Sequence, residues 1–328
     1  MRCSVLPLRA RCAVYTTGRR LHQMIREEVI VSLKVKPLHP LFVTEVTDLD
    51  LRLPARPGER DAIERVMDEY AVSVLRDQMI DDEQQIRFTR LYGDLEVQPE
   101  VRSKVIVETD NPRIRHQEIF DVSNLDQAGR VLPRNDDRRS YALGNQLWHT
   151  DSSFRQLSAT YSMLSARVVP PVGGDTEFID TRAVYDALPQ AMKTRIEGLV
   201  AEHSIWRSRS LYGGYQPTAE ELRVRPPAQH PLVRRHPGSG RKALYIARHI
   251  AHIVGWPVAE GQALIDELIA FATRPQFVYA HKWRVGDLVI WDNRCTMHRA
   301  TPFDDMGLPR DMRRTTVREK LAVAAEIG

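Results

Sequence analysis

From Leu147 onward the chain is cut into short extended runs between turn signals, and that spacing restricts the possible folds more than any other feature. YSMLSARVV, GGDTEFID, LYIA, FVYAHKWRV, GDLVIWDN and RRTTVREKLA are rich in β-branched and aromatic residues and read as strands. Two helical stretches interrupt them, Thr181 through Leu199 with a break at Pro189, and Val258 to Thr273. Many short strands with few helices in one continuous core imply a mainly β fold with flanking helices, a double-stranded β-helix or jelly roll. Strands and helices do not alternate, which argues against a parallel α/β sheet. Neither a GxGxxG nor a P-loop sequence is present, and GSGRK at 238–242 reads as a hairpin turn.

Upstream, Val29 to Leu53 reads as short strands broken at Pro37 and Pro40. Glu59 to Tyr70 has helical spacing, with Ile63, Val66 and Met67 on one stripe, and leads into a β-rich AVSVLRD. Asp81, with Gln84 three residues later, predicts the start of a second helix that carries Ile86, Phe88 and Leu91. Residues 96–140 are polar and irregular, as expected of a substrate loop or lid, and the cluster from Arg134 to Arg139 reads as solvated loop.

Charge and composition exclude several partners. The formal net charge is +4, but residues 1–23 carry Arg2, Arg9, Arg11, Arg19 and Arg20 and no acid, so the remainder stands at −1. The basic character belongs to a leader, either a transit peptide or the product of a start assigned ahead of Met24, and nothing implies a nucleic-acid surface. The expected organisation is a leader over 1–23 and one domain over 24–328. No apolar run approaches the roughly 20 residues that a membrane helix needs, so no membrane partner is expected. Cys3 and Cys12 fall in the leader and Cys295 is alone in the body, which suits the reducing cytoplasm.

The chemistry concentrates in LWHTDSSF, where His149 and Asp151 are separated by one residue. On a strand, positions i and i+2 share a face, so an imidazole and a carboxylate would converge. Two histidines and one carboxylate form the facial set that leaves the opposite side of an iron(II) ion open. An H-x-D pair alone is a weak signal. It needs a distant histidine followed by an arginine, and WDNRCTMHRATPF supplies His298, followed by Arg310 and Arg314 in LPRDMRRTTVRE.

With these motifs in order, the chain resembles the iron(II)/2-oxoglutarate-dependent dioxygenases of the TauD/TfdA group, most nearly its 2,4-dichlorophenoxyacetate dioxygenase branch. LHPLF, NQLWHTDSSF, YSMLSARVVPPVGGDTEFID, YDALP, GDLVIWDNRCTMHRA and RRTTV carry the resemblance over about residues 36 to 320. It implies His149, Asp151 and His298 as iron ligands, with 2-oxoglutarate and O2 as cosubstrates. Arg310 and Thr176 match the positions that hold the far carboxylate of 2-oxoglutarate, a task suited to the paired donors of a guanidinium. Arg314 matches the position that holds the substrate's own anion, and Asn145 a position that contacts substrate. Trp148 and Phe154 suit either core packing or the pocket wall. The implied reaction couples decarboxylation of 2-oxoglutarate to succinate and CO2 with hydroxylation of a small anionic substrate. An aryloxyalkanoate would yield a phenol and glyoxylate. The resemblance also implies a homo-oligomer.

Alternatives are a taurine, alkylsulfonate or alkylsulfate dioxygenase using the same cation for another anion, and a non-catalytic jelly-roll binding protein. A zinc hydrolase lacks a placed general base. His249 and His252 form an H-x-x-H pair without the glutamate of a zinc protease and read as structural, while His236 could lend polarity to the site. Cys295 could pair with His298 as Cys-x-x-His but reads as buried and inert, and Asp292 and Asn293 read as shaping the turn before His298. Arg102 and Lys104, within 96–115, occupy the stretch where substrate specificity is expected.

Overall fold

The computed structural model describes residues 31, 33–97, 113–211, 214 and 216–320, excluding the side chains of residues 137, 140 and 141. The basic leader, the alternative start at Met24, and Arg102 and Lys104 lie outside the described residues.

Two sheets face each other. The larger has seven strands in the order Lys34–His39, Val43–Thr47, Val72–Leu75, Leu288–Asp292, Ala159–Val168, Asp311–Arg318 and Phe120–Asp121. The smaller pairs Thr176–Asp180 with Val278–His281 on one side and Thr296–Ala300 on the other. This is the jelly-roll core expected from the strand spacing, and its position follows from period-2 alternation. Val289 and Trp291 of one large-sheet strand pack inward with Leu164, Ala166, Met312 and Phe178, filling the space between the sheets. Leu288, Ile290, Tyr161, Met163 and Val317 point the other way, against helices Glu59–Tyr70 and Asp82–Thr89. In the smaller sheet Phe178 faces inward, while Ile179 and Met297 face outward to Leu264, Leu268 and their neighbours on helix Val258–Ala272. The result is four layers, with the small sheet sealed between the large sheet and a helix.

Several local expectations hold. Asp81 caps the second helix with a reciprocal box, its carboxylate accepting from the Gln84 backbone N–H at 2.7 Å while the Gln84 side chain accepts from Asp81 N–H at 2.9 Å. Pro189 separates helices Thr181–Ala187 and Gln190–Ile196, and GSGR at 238–241 lies in the connection between paired strands Val233–Arg235 and Lys242–Leu244, with Lys242 opening the second.

Others are corrected. Pro37 does not break a strand, because Lys34–His39 is the sheet edge, where a missing N–H is tolerated, and the register slips just after it. Helices Ile205–Leu211 and Ala219–Val224 add to those expected after Leu147. The part of 96–140 that is described is docked rather than loose. Phe120–Asp121 pairs with Arg313 and Arg314 at the sheet edge, and Arg139 forms an ion pair with Asp305 at 2.7 Å. Among the described residues no helix is long and apolar enough to cross a membrane.

Because Leu268 is fully buried between the helix and the small sheet, Leu268→Ala should cost about 2–5 kcal/mol by cavity formation. Urea denaturation with an unchanged m-value reads that loss, and a change under about 1 kcal/mol would contradict the layer assignment.

Candidate active site

His298 lies on the small sheet with its side chain on the inward face, beside Phe178 at a ring separation of 6.0 Å. His149 joins it through a single antiparallel bridge. The His149 N–H donates to the His298 carbonyl at 3.0 Å, and the His298 N–H donates to the His149 carbonyl at 2.7 Å. Directly paired residues present their side chains on one face, so the imidazoles meet with centroids 4.2 Å apart.

Asp151 is not on the strand that the H-x-D spacing suggested. It opens a turn in which Ser152 takes a left-handed φ of 57°. This turn is held from the one before His298: Asn293 Oδ1 accepts from the Asp151 backbone N–H at 3.1 Å, and the Asn293 carbonyl accepts from the Thr150 hydroxyl at 2.8 Å. Asn293 therefore shapes more than its own turn. With the carboxylate brought round, ligand atoms of His149, Asp151 and His298 all lie within 4.8 Å of one another and are buried.

The protonation states suit a cation. His149 Nδ1 lies 2.7 Å from the Leu147 carbonyl, which can only accept, so Nδ1 carries the proton and Nε2 keeps its lone pair for a metal. Burial lowers the pKa of His149 and pushes that of His298 well down, favouring neutral rings. Burial alone would raise the Asp151 carboxyl. Arg314 and the Ser162 hydroxyl outweigh it and hold the group well below the usual carboxylate range. Ser162 donates to Asp151 Oδ2 at 2.7 Å and accepts from Asn293 Nδ2 at 2.9 Å, while Arg314 Nη1 donates to Asp151 Oδ1 at 2.5 Å. Two neutral imidazoles and one anchored carboxylate fit a ferrous or similar divalent ion.

Alternation along the last strand sorts the arginines. Arg314 and Thr316 share the inward face with Met312, whereas Arg313 turns outward to Asp311 at 3.2 Å. Arg314 also stacks over Phe120 at 5.1 Å, and its buried Nε has no acceptor among the described residues. Arg310, just before the strand, is only 7% exposed. Its Nε donates to the Gly174 carbonyl at 3.3 Å and Nη1 to the Val122 carbonyl at 3.4 Å. No carboxylate lies within ion-pair distance of it among the described residues, and burial lowers its pKa to about 10 against weak support from Asp175. Thr176, two residues after Gly174, faces inward and accepts from the Trp283 indole N–H at 3.0 Å. That contact occupies a lone pair of the hydroxyl oxygen and leaves its own O–H to donate elsewhere. Asn145 is half-buried on the short helix Gly144–Gln146, just ahead of His149.

Other singled-out residues fall as follows. Trp148 packs in the apolar core beneath helix Val258–Ala272, with the Arg299 guanidinium 4.9 Å over its ring. Phe154 meets His249 edge-on at 5.3 Å, and His249 itself lies 5.7 Å from His149 with Nδ1 2.9 Å from the Ser208 hydroxyl. His252 points instead to Glu202 at 3.6 Å, so the H-x-x-H pair does not chelate. His236 does not reach the His149–Asp151–His298 cluster; it bonds Asp292 at 2.9 Å. Cys295 is buried beside those two residues rather than facing His298, forming a second cluster with metal-ligand chemistry. Neither ring nitrogen of His236 is free to ligate: Nδ1 accepts from the Ser239 N–H at 3.0 Å, so Nε2 carries a proton and donates it to Asp292 at 2.9 Å. Arg294 further neutralises Asp292 at 2.5 Å, and burial pushes the Cys295 thiol well up, so this cluster fits structure rather than metal.

Ser162, Asn293 and Trp283 were not foreseen as site residues. The only sequence signal was Ser162 and Ser165 interrupting an otherwise apolar strand.

A match to the "Taurine catabolism dioxygenase TauD, TfdA family" model covers residues 34–316. The chain is 46% identical over 293 residues to the alpha-ketoglutarate-dependent 2,4-dichlorophenoxyacetate dioxygenase of Cupriavidus pinatubonensis, covering 89% of this chain and 100% of that one. It is 38% identical over 278 residues to the (S)-phenoxypropionate/alpha-ketoglutarate-dioxygenase of Sphingobium herbicidovorans, covering 82% and 90% of the two chains. Among solved structures it is similar to AAD-2 in complex with Mn(II) and N-oxalylglycine, with a TM-score of 0.80, 44% identity, and coverage of 88% and 98%. The chain belongs to the TauD/TfdA family and is an alpha-ketoglutarate (2-oxoglutarate)-dependent dioxygenase.

Proposed function

We propose that the enzyme uses Fe(II), 2-oxoglutarate and O2 to hydroxylate aryloxyalkanoates such as 2,4-dichlorophenoxyacetate, releasing a phenol and glyoxylate. In that reading His149, Asp151 and His298 hold the iron, Arg310 and Thr176 hold the distal carboxylate of 2-oxoglutarate, and Arg314 with Asn145 meets the substrate. When bound, the metal would activate O2, the oxidant: two of its oxidising equivalents convert the keto acid to succinate and CO2, and the other two hydroxylate the substrate.

The observation that carries the cosubstrate assignment is Arg310, a buried guanidinium without a carboxylate partner among the described residues. An uncompensated buried cation is costly, and an anionic ligand with paired oxygens removes that cost. Thr176 supports the same ligand with a hydroxyl whose acceptor side is already used by Trp283. Arg314 keeps Asp151 ionised and oriented while its Nε stays available on the site side of the strand. The substrate carboxylate would compete for part of this guanidinium, which fixes the target C–H relative to the metal. The neutral rings of His149 and His298 add no positive charge, so the local field remains favourable for both a divalent cation and organic anions. Among the relatives found, those covering most of the chain oxidise phenoxyalkanoates, which favours a carboxylate over a sulfonate as the bound anion. A reducing cytoplasmic setting suits a ferrous site.

Purified protein given Fe(II), ascorbate and 2-oxoglutarate should release succinate in proportion to added 2,4-dichlorophenoxyacetate. Stimulation only by taurine or an alkylsulfate would replace the substrate assignment, and stimulation by no organic acid would remove it. Arg310→Ala should raise the KM for 2-oxoglutarate at least about tenfold with a smaller effect on that for phenoxyacetate, and Arg314→Ala should do the reverse at saturating metal while also weakening metal binding, because Asp151 loses its ion pair. Equal effects of both changes on both acids would contradict separate anchors. Ser162→Ala removes the donor to Asp151 and should weaken Mn(II) binding about 10–100-fold by calorimetry, whereas an unchanged affinity would show that the carboxylate is oriented without it.

A further inference from the structure

Arg310 has to be held at a fixed position while its buried side chain waits for a counter-charge. It follows the turn over 305–307 and precedes the last strand, so neither element fully determines its backbone. The tie comes from elsewhere. Asn124, which belongs to the segment after Phe120–Asp121, accepts the Arg310 backbone N–H on Oδ1 at 2.8 Å. Its Nδ2 donates to the carbonyls of Asp305 and Leu308, each at 2.9 Å, so both ends of the preceding turn are gripped by one amide. The Asn124 N–H donates to the Arg310 carbonyl at 3.3 Å, and its carbonyl accepts from Leu132 at 2.9 Å.

That amide uses its acceptor and both of its donors, which fixes its orientation without ambiguity and leaves no isosteric replacement. Aspartate would set an oxygen against two carbonyls, and a serine could replace one of the three bonds. The same segment touches the anchor a second time, through the Val122 carbonyl that accepts from Arg310 Nη1. An outer contact exists as well: Arg139 pairs with the Asp305 carboxylate and donates to its carbonyl at 3.1 Å, without touching Arg310.

We infer that Asn124 is a positioning residue for the keto-acid anchor, setting 2-oxoglutarate affinity by fixing the backbone of Arg310 from the segment that also carries Phe120. The inference rests on the reading of Arg310 as that anchor. Paired donors must meet two carboxylate oxygens at once, so a small shift of the Arg310 backbone costs affinity for the keto acid before it affects the metal.

Calorimetric titration of Mn(II)-loaded protein with 2-oxoglutarate tests this directly, alongside steady-state kinetics. Asn124→Ala should raise the Kd and KM for 2-oxoglutarate about tenfold, with Mn(II) affinity and the KM for phenoxyacetate changed by less than about twofold. At saturating keto acid kcat should fall no more than about twofold, a split that general loosening would not produce. Arg139→Ala, which removes the outer contacts to Asp305 and the Leu132 carbonyl but none of the Asn124 side-chain bonds, should leave the 2-oxoglutarate Kd within about twofold even if the melting temperature drops. Where Asn124→Ala does not fold, Asn124→Ser carries the test and should give an increase in the same direction. An unchanged Kd in the folded Asn124 variant, with Arg310→Ala still raising it, would overturn the inference. An unchanged Kd in Arg310→Ala as well would mean that the anchor assignment itself is wrong.

Discussion

Two backbone hydrogen bonds between His149 and His298 hold the whole site together. They join an irregular segment to the inner face of the small sheet, and they place side chains 149 residues apart in sequence on one face. Without that bridge the H-x-D pair would be a surface feature of a loop. With it, the carboxylate of Asp151 needs only a short turn to complete the ligand set, and Asn293, itself just ahead of His298, supplies the contact that holds the turn. The ligands are thus organised from one strand end, which keeps their geometry stiff where a metal needs it.

Charge balance explains how the site tolerates so many buried ionisable groups. Asp151 is matched by Arg314 and Ser162, and the imidazoles stay neutral under burial. Arg310 is the exception, held among carbonyls with no acid within ion-pair distance among the described residues, an imbalance that favours an anionic ligand. The cluster of His236, Asp292 and Cys295 makes a useful contrast. It has comparable ligand chemistry and burial, yet Ser239 and Arg294 have already satisfied it. Residue types alone do not separate a metal centre from a structural knot; the hydrogen bonds around them do.

Much of this was legible in the sequence because the relevant signals are local or strongly periodic. The strand runs, the Asp81 cap, and the order of His149, Asp151, His298, Arg310 and Arg314 could be read directly or through the family pattern. Asp151 escaped a strand-based argument because Ser152 adopts a left-handed conformation that a non-glycine residue does not advertise. Helix Ile205–Leu211 was missed because its Ile, Trp and three serine-flanked positions give little helical periodicity, and its role in holding His249 through Ser208 is tertiary. Ser162, Trp283 and Asn124 escaped notice for a related reason. Each acts through partners 11 to 186 residues away, so spacing along the chain carries no trace of the contact.

Iron-edge anomalous scattering from crystals grown anaerobically with Fe(II) would test the central assignment most directly. A single strong peak should lie about 2.0–2.2 Å from one ring nitrogen of His149, one of His298 and a carboxylate oxygen of Asp151. A peak among His236, Asp292 and Cys295 instead, or none near His149 in crystals that bind iron elsewhere, would contradict it.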